Sequence, residues 1–217
     1  LFGAALAVAT LHKLHRIQGV HRPALSTILS LGGQSIVLLD VGANTDTRAE
    51  WLLQYGLMGS IYAERALKRS RPRVALLSNG EEAGKGTALV QEAAELLTGS
   101  GVNFIGNAEP KEILHGQVDV AVMDGFSGNV MIKTLEALAQ VVFDLIRQEL
   151  MVDTRSKVAG LLAKPAFRRV HRQIDPFEIG GAPLLGVDGV VIIGHGRSNA
   201  VAVKNAIRQA RLAVEGQ

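Results

Sequence analysis

Short apolar runs that end in polar or glycine-rich turns, each followed by a helical pattern, recur along this chain. The first run covers residues 35–41 and stops at Gly42-Ala43-Asn44, and the helical pattern after it covers residues 48–68. A continuous apolar run is typical of a strand buried on both faces. Repeated units of this kind predict an α/β fold, a three-layer α/β/α sandwich whose sheet is mostly parallel.

The same alternation predicts the other elements. Further strands are expected at 73–77, 103–105, 118–123 and 187–193, and helices at 87–97, 130–150 and 198–214. The Ala- and Leu-rich start predicts a helix over residues 1–17, ending near Gly19 and Pro23. We expect residues 1–217 to form a single domain. Because the chain opens on Leu1 rather than Met, we also expect it to be part of a longer protein.

Composition excludes several classes of protein. The chain has 217 residues, 47% hydrophobic and 20% charged, which is enough apolar surface for a core and argues against disorder. It contains no cysteine, so disulfides, thiolate-bound metals and a thiol nucleophile are impossible. The net charge of +3 is too small to indicate nucleic-acid binding, and no nucleic-acid partner is expected.

The basic excess is concentrated in residues 147–172, which we call the basic segment. It holds seven Lys and Arg residues against Glu149 and Asp153. Apolar residues recur at helical spacing on both sides of Pro165, so the segment predicts two short basic amphipathic helices. We expect this basic amphipathic helical hairpin to protrude from the domain as an insertion over residues 147–175. A solvated helix pair that stabilises a dimer is the alternative.

Loop 80–87 follows a predicted strand and opens a helix. Backbone amides and a helix dipole at such a position can hold an anion such as phosphate. The loop is not a Walker A loop, because only three residues separate Gly80 from Gly84 and a glycine follows Lys85. The candidates for phosphate binding are Gly84, Lys85, Gly86 and Thr87, and the alternative is a solvated turn.

Loop 124–129 also joins a strand to a long predicted helix. Gly125 and Gly128 permit close approach of the backbone to a ligand, beside Asp124. The amide of Asn129 is either a helix cap, which composition favours, or a donor to an oxyanion. The context of Ser127 lacks the Gly-x-Ser-x-Gly pattern, which argues against a hydrolase triad.

Two further strand ends carry polar candidates. Asp40, Asn44 and Asp46 surround the end of the first strand, but the EF-hand glycine and terminal glutamate are missing, and no metal is predicted. His195 lies between two glycines and is the histidine best placed for acid–base work or phosphate binding. A dinucleotide fingerprint is not complete here, because Asn199 stands where its third glycine would be.

Several of these blocks, taken in order, resemble the bacterial acyl-acyl carrier protein:phosphate acyltransferase family. The resemblance implies a three-layer α/β/α homodimer that transfers a fatty acyl group from acyl carrier protein to orthophosphate. The product is an acyl phosphate for phospholipid synthesis, and no metal or organic cofactor is needed. The resemblance also implies that the chain is the C-terminal two-thirds of the family's catalytic domain. The blocks are residues 38–44, 80–86, 124–130, 180–186 and 189–196.

The resemblance suggests roles for the candidate residues. Orthophosphate would be held by Lys85, the amides of 84–87 and His195, and Asn129 would donate to the oxyanion. Asp40 and Asn44 would join the loop glycines, Thr87 and Asp124 in substrate binding. Two alternatives stay open: a phosphate acetyl- or butyryltransferase that uses a coenzyme A thioester, and a non-enzymatic peripheral membrane scaffold.

The implied partners are acidic. The family works on the cytoplasmic face of the membrane as a peripheral protein, and a downstream glycerol-3-phosphate acyltransferase uses its acyl phosphate. Acyl carrier protein and many membrane lipids are negatively charged, which suits the basic segment. The residues expected to contact carrier protein or membrane are Arg155, Lys157, Leu161, Leu162, Lys164, Phe167, Arg168, Arg169 and Arg172.

Overall fold

A computed structural model of the chain describes residues 13–174, 180–196 and 198–215, with side chains described in these ranges except at 172–174. Strands and helices alternate through most of this length. In chain order the elements are β1 (Ala24–Leu31), β2 (Gln34–Leu39), α1 (Ala49–Ala66), β3 (Val74–Leu77), α2 (Ala88–Thr98), β4 (Phe104–Ala108), α3 (Pro110–Leu114), β5 (Val120–Val122), α4 (Gly125–Glu149), α5 (Thr154–Ile174), β6 (Ala182–Leu185), β7 (Ile192–Ile193) and α6 (Ala200–Glu215).

The strands form one mixed sheet in the order β4-β3-β5-β2-β1-β6-β7. The four strands from β4 to β2 run parallel to one another. From β2 onward each neighbour is antiparallel, so β1, β6 and β7 alternate in direction. The prediction of a mostly parallel sheet is therefore wrong for the half that contains β1, β6 and β7.

Strand β1 was absent from the sequence prediction because its apolar residues are interrupted by Ser26, Thr27 and Ser30. It joins β2 through a tight hairpin at Gly32 and Gly33, whose φ angles of 58° and 82° are the positive values that such turns require. The hairpin places Ser26 opposite Leu39, next to the end of β2. An antiparallel strand thus borders the parallel half of the sheet.

Apolar side chains fill both faces of the sheet. One core cluster joins β2, β3 and β5 to α1 and α2, and the other lies on the opposite face, where it includes residues of α3 and α4. Along β2, Val37 and Leu39 belong to the first cluster while Ile36 and Leu38 belong to the second. This alternation is that of a strand buried on both faces. The three-layer α/β/α arrangement is confirmed.

Two predicted boundaries toward the C-terminus are wrong. The segment expected to be one strand over 187–193 contains a turn, with φ of 143° at Gly189, and only Ile192–Ile193 is strand. Residues 182–185, where no strand was predicted, form β6. Gly186, with φ of 93°, follows β6 and redirects the chain so that β6 and β7 pair antiparallel.

The helical region between β5 and β6 also differs from the prediction. Residues 125–129 are the first turns of α4 rather than a loop, and α4 continues to Glu149. The basic segment contributes a single helix, α5, that continues through Pro165, so the predicted pair of short helices is wrong. The rings of Phe143 and His171 lie 5.2 Å apart, so α4 and α5 are in contact. Such tertiary contact allows a helix to continue past a proline, at the loss of one N–H donor.

Most of the helix predicted over residues 1–17 lies outside the described residues. At Arg16 the chain forms an isolated β-bridge with Val187, so a helix does not extend through this residue. Among the helices that the structure describes, none has the length and apolar character needed to cross a membrane.

An ion pair between Arg73 and Asp119 connects the residues that directly precede β3 and β5. One oxygen of Asp119, Oδ2, accepts hydrogen bonds from Arg73 N at 2.8 Å and Nε at 2.9 Å, and Oδ1 accepts from Nη2 at 3.2 Å. Burial raises the pKa of Asp119, but the hydrogen bonds and charge of Arg73 outweigh burial, so the pKa is lowered. The pair therefore stabilises the fold above the unfolded-state pKa of Asp119, and this stability is lost as the pH falls through the folded-state value.

We expect Asp119→Asn to lower the free energy of unfolding at pH 7 by about 1–2 kcal/mol, because Arg73 is only partly shielded from solvent. The difference from wild type should begin to shrink as the pH falls below about 4, the unfolded-state pKa, and should vanish only below the lowered pKa of folded Asp119, where both proteins lack the charge. Urea unfolding at pH 7 and pH 3 measures both effects. Glu64→Gln, an exposed carboxylate on α1, is the control. A destabilisation that is equal at both pH values would contradict the electrostatic explanation.

Candidate functional site

The buried carboxylate of Asp40 organises the turn after β2. Its Oδ1 atom accepts hydrogen bonds from the backbone N–H groups of Leu25 at 3.2 Å, Gly42 at 3.0 Å and Ala43 at 2.9 Å. Its Oδ2 atom accepts from Asn44, through the backbone N–H at 2.8 Å and the side-chain amide at 3.0 Å. Successive N–H groups of this kind form an anion-binding nest. Here the nest already holds an anion, the protein's own carboxylate.

The environment of Asp40 fits a positioning role rather than contact with substrate. Burial raises its pKa, and the hydrogen bonds from Ala43, Asn44 and Gly42 only partly oppose that effect. The side chain is fully buried, and both oxygens face amide hydrogens. Asn44 is likewise engaged, because its Nδ2 also donates to Pro23 O at 2.8 Å. These two predicted substrate-binding residues therefore shape the turn.

Asp124 caps α4 at the end of β5. Its Oδ1 accepts from Phe126 N at 3.0 Å and Ser127 N at 2.9 Å, and its Oδ2 accepts from Ser127 Oγ at 2.6 Å. The interpretation of Asn129 as the helix cap is therefore wrong. Asn129 lies in α4 with an exposed side chain whose amide forms no hydrogen bond to any described residue. A methyl group added to Gly42 would lie 3.0 Å from Nδ2 of Asn129, so the amide lies directly over the turn.

Gly125 and Gly128 bring the start of α4 against the backbone of this turn. A Cβ on Gly128 would lie 1.9 Å from Asp40 O, and one on Gly125 would lie 2.5 Å from Asn44 O. The N–H of Gly125 donates to the same Asn44 oxygen at 2.8 Å. The close approach that these glycines permit is therefore between two parts of the protein, and it positions Asn129.

Three side-chain amides that sequence reasoning missed hold loop 80–87. Asn79 accepts from Gly86 N at 2.9 Å through Oδ1, and Gln91 donates to Gly84 O at 2.9 Å. Asn107, at the end of β4, donates to Glu82 O at 3.0 Å. Two sequence features could have indicated these amides: Asn79 lies directly before Gly80, and Gln91 lies in the first turns of the following helix.

These contacts narrow the set of groups that can bind an anion. The N–H groups of Lys85 and Gly86 are occupied, by Glu82 O at 2.9 Å and by Asn79 Oδ1. The N–H groups of Gly84 and Thr87 form no hydrogen bond within the described part of the chain. The Lys85 side chain is exposed, and its ammonium group has no ion pair with a described residue. An anion at this loop would therefore contact Lys85, Gly84 and Thr87.

Carboxylates border the same loop. The charge of Glu112 raises the pKa of Glu81, and Glu109 adds to this effect. Glu112 also accepts from Glu109 N at 3.1 Å as part of the capping box of α3. Among the described residues, no three His, Asp or Glu side chains are placed to hold a metal ion. The negative charges disfavour a polyphosphate next to the loop more than a single phosphate.

The sheet order brings three of the predicted strand ends together. Strands β3, β5 and β2 are parallel neighbours, so loop 80–87, the start of α4 and the Asp40 turn lie side by side. We call this the carboxyl edge. The ends of β3 and β2 are two strand spacings apart, about 10 Å. Lys85 and Asn129 therefore belong to one region of the surface.

The structure does not bring His195 to this region. His195 follows β7, which runs antiparallel to β2, so the residue lies toward the opposite edge of the sheet. Five strand positions separate β7 from β3, roughly 24 Å across the sheet. The predicted contact of His195 with phosphate at Lys85 is therefore wrong for this arrangement.

Comparison with known proteins identifies the family. Residues 2–217 match the family model described as "fatty acid synthesis protein". The chain belongs to this family. Two relatives, both named phosphate acyltransferase, are 48% identical to it: that of Campylobacter jejuni over 208 residues and that of Dictyoglomus turgidum over 215 residues. The alignments cover 96% and 98% of this chain but only 63% and 64% of those relatives, respectively.

Two solved structures share the α/β fold of this chain. A phosphotransacetylase from Streptococcus pyogenes aligns with a TM-score of 0.57 at 18% identity, covering 94% of this chain and 58% of that one. A branched-chain phosphotransacylase from Enterococcus faecalis also gives 0.57, at 14% identity, covering 90% and 64% respectively. At these identities the likeness establishes the α/β architecture.

We expect Gly128→Ala to lower the free energy of unfolding by about 2–4 kcal/mol, because the new methyl group would overlap Asp40 O and push α4 away from the turn. Gly84→Ala is the matched control, since a methyl group there meets nothing within 4 Å. Its effect should stay within about 0.5 kcal/mol. Denaturant unfolding measures both variants, and equal stability of the two would contradict the packing assigned to Gly128.

Proposed function

We propose that this chain takes part in the transfer of a long-chain fatty acyl group from the thioester of acyl carrier protein to orthophosphate. The product, an acyl phosphate, would serve phospholipid synthesis. Family membership and the relatives named phosphate acyltransferase support this class of reaction. The observation that carries the proposal is the exposed amide of Asn129, which lies over the Gly42 turn at the same edge of the sheet as the loop that bears Lys85.

Orthophosphate is the nucleophile in this proposal. It is anionic at neutral pH, so the protein needs to position it and to reduce repulsion rather than remove a proton from a weak nucleophile. The Lys85 ammonium group supplies a positive charge, and the N–H groups of Gly84 and Thr87 supply hydrogen bonds at the start of α2. No metal or organic cofactor is used.

The amide of Asn129 stabilises the charge that develops in the reaction. A phosphate oxygen forms a bond to the thioester carbon, and the carbonyl electron pair moves to oxygen to give a tetrahedral oxyanion. When the oxyanion collapses, the carbon–sulfur bond breaks and the carrier thiolate leaves. In this proposal the acyl group passes directly to phosphate, and no residue of this chain can form a cysteinyl intermediate because the chain contains no cysteine.

Helix α5 is the proposed contact with the acidic partners. Its Leu161 and Leu162 are 69% and 77% exposed, and its basic side chains at Arg168 and Arg169 are exposed as well. The basic residues attract the carrier protein or anionic lipid, and the leucines insert into an apolar surface. The proposal thus places the protein at the cytoplasmic face of the membrane, as a homodimer that supplies a glycerol-3-phosphate acyltransferase.

We expect Lys85→Ala and Asn129→Ala each to lower turnover about a hundredfold, as loss of one oxyanion donor does in other enzymes. Acyl phosphate formation from palmitoyl carrier protein and orthophosphate is the measurement, with the full-length protein. Lys204→Ala on α6 and Gln140→Ala on α4 are the matched controls, because both side chains are exposed away from the carboxyl edge.

Near-native turnover in both site variants would contradict the roles assigned to Lys85 and Asn129. Turnover that is faster with a coenzyme A thioester than with the carrier thioester would favour the acetyl- or butyryltransferase alternative. If neither donor yields an acyl phosphate, the scaffold alternative replaces the enzymatic one.

We expect the double variant Arg168→Glu, Arg169→Glu to weaken both carrier capture and binding to anionic liposomes, because it replaces attraction by repulsion. The loss should be largest at low salt, since salt screens exposed charges. Surface plasmon resonance with carrier protein and liposome flotation measure the two interactions. Arg208→Glu on α6 is the single-site control for a change of charge. Unchanged binding in both assays would remove α5 from the proposal.

A further inference from the structure

Two arginines share one aromatic ring close to the turn after β2. The guanidinium carbon of Arg22 lies 5.4 Å from the centroid of the Trp51 ring, and that of Arg48 lies 5.8 Å from the same centroid. Both distances are in the range of cation–π contact, which orients a guanidinium group without neutralising its charge. We call these three residues the Arg–Trp cluster.

The two positive charges of the cluster form no ion pair within the described part of the chain. Both arginines are exposed, and neither forms an ion pair with a carboxylate among the residues that the structure describes. Glu50 precedes Trp51 in the first turn of α1 but pairs with neither guanidinium. Two like charges near one ring repel each other, and a bound anion would relieve that repulsion.

The residues next to both arginines in sequence form hydrogen bonds with the turn at the carboxyl edge. Arg22 precedes Pro23, whose carbonyl accepts from Asn44 Nδ2 at 2.8 Å. Arg48 is the residue before α1 and follows Thr47, whose hydroxyl donates to Asn44 O at 3.0 Å. The cluster thus stands beside the turn that Asp40 organises.

The phenol of Tyr55 supports the same placement. Burial raises its pKa above the usual range, the negative charge of Asp40 raises it further, and the positive charge of Arg22 opposes them. Arg22 and Asp40 are thus among the charges that act on this buried side chain. The contact with the Trp51 ring places the guanidinium of Arg22 beside α1.

The segment that carries Arg22 is fixed to α1 before any ligand arrives. Gln54 accepts from His21 N at 2.8 Å through Oε1 and donates to Gly19 O at 2.9 Å through Nε2. One amide side chain thereby holds the backbone on the N-terminal side of Arg22. Because the loop is already ordered, binding an anion there costs less conformational entropy than ordering a free loop.

We propose that the Arg–Trp cluster binds a phosphate group, either orthophosphate or the phosphodiester of a phosphopantetheine arm. The identity of these ligands rests on the proposed function, since both belong to its substrates. Guanidinium groups suit this role because their paired N–H donors match phosphate oxygens. The cluster is distinct from loop 80–87, because it follows β2 and that loop follows β3, two strand positions away.

The single tryptophan of the chain makes the site directly observable. We expect Trp51 emission to change saturably when the purified protein is titrated with orthophosphate or with phosphopantetheine. Isothermal titration calorimetry of the Lys85→Ala variant, which lacks the cation proposed for loop 80–87, provides a second measurement of binding at the cluster. Arg48→Gln should raise the dissociation constant about tenfold, the effect of losing one charge-assisted hydrogen bond. Arg208→Gln, which removes an exposed charge from α6, should leave it unchanged.

The ligands distinguish the two sources of phosphate. Tighter binding of phosphopantetheine than of orthophosphate identifies the carrier arm as the ligand of the cluster, and the reverse order identifies orthophosphate. Holo-carrier protein binding more tightly than apo-carrier protein, with the difference lost in Arg48→Gln, supports the arm. Equal binding of the two carriers, together with no response to either small phosphate in fluorescence or calorimetry, would overturn the proposal. A response equal to that of chloride at the same ionic strength would overturn it as well.

This test is separable from that of the catalytic roles. Asn129→Ala removes the proposed oxyanion donor but leaves the cluster intact, so its phosphate binding should equal that of wild type. An active enzyme whose Trp51 site binds no phosphate would overturn only the inference about the cluster. Phosphate binding at Trp51 in a protein that forms no acyl phosphate would overturn only the proposed reaction.

Discussion

The hydrogen bonds to the Asp40 carboxylate are the interaction on which the rest of the structure depends. A buried carboxylate without partners is strongly destabilising, so its donors must stay in place. Those donors come from β1 through Leu25 and from the turn through Gly42, Ala43 and Asn44. One side chain therefore joins the antiparallel and parallel halves of the sheet. It also shapes the backbone surface against which the first turn of α4 packs.

These hydrogen bonds determine which polar groups remain available to bind a substrate. The nest after β2 holds the protein's own carboxylate, and the start of α4 is capped by Asp124. Two of the three amide-rich turns at the carboxyl edge are thus satisfied internally. Side chains must then supply most of the attraction for phosphate. Lys85 on one side and the Arg–Trp cluster on the other are the positive groups that flank Asn129, so a nucleophile and a thioester arm would have separate places to bind.

The elements that could be predicted are those that a short stretch of sequence identifies by its own residue pattern. Strand β2 is a continuous apolar run, and α1 and α2 follow turns that end such runs, so each was found within two residues of its observed bounds. Strand β1 has serine and threonine between its apolar residues, and it became visible only through its pairing with β2. Likewise Gly125 and Gly128 resemble loop glycines because glycine is a poor helix former, and only their contact with the turn explains their place in α4.

The positions of the candidate site residues could also be predicted only in part, because they depend on the direction of each strand in the sheet. Reasoning from sequence places every strand end at one edge, which holds only while neighbouring strands are parallel. Lys85 and Asn129 follow β3 and β5, which are parallel to β2, so both lie at the same edge of the sheet. His195 follows a strand whose direction is reversed by the antiparallel pairings from β1 to β7, and the prediction failed there. Arg22 was not among the predicted site residues, because the prediction considers only residues that follow strands. It precedes β1, an antiparallel strand that begins at the carboxyl edge, so its guanidinium reaches Trp51 from a strand start that the rule does not consider.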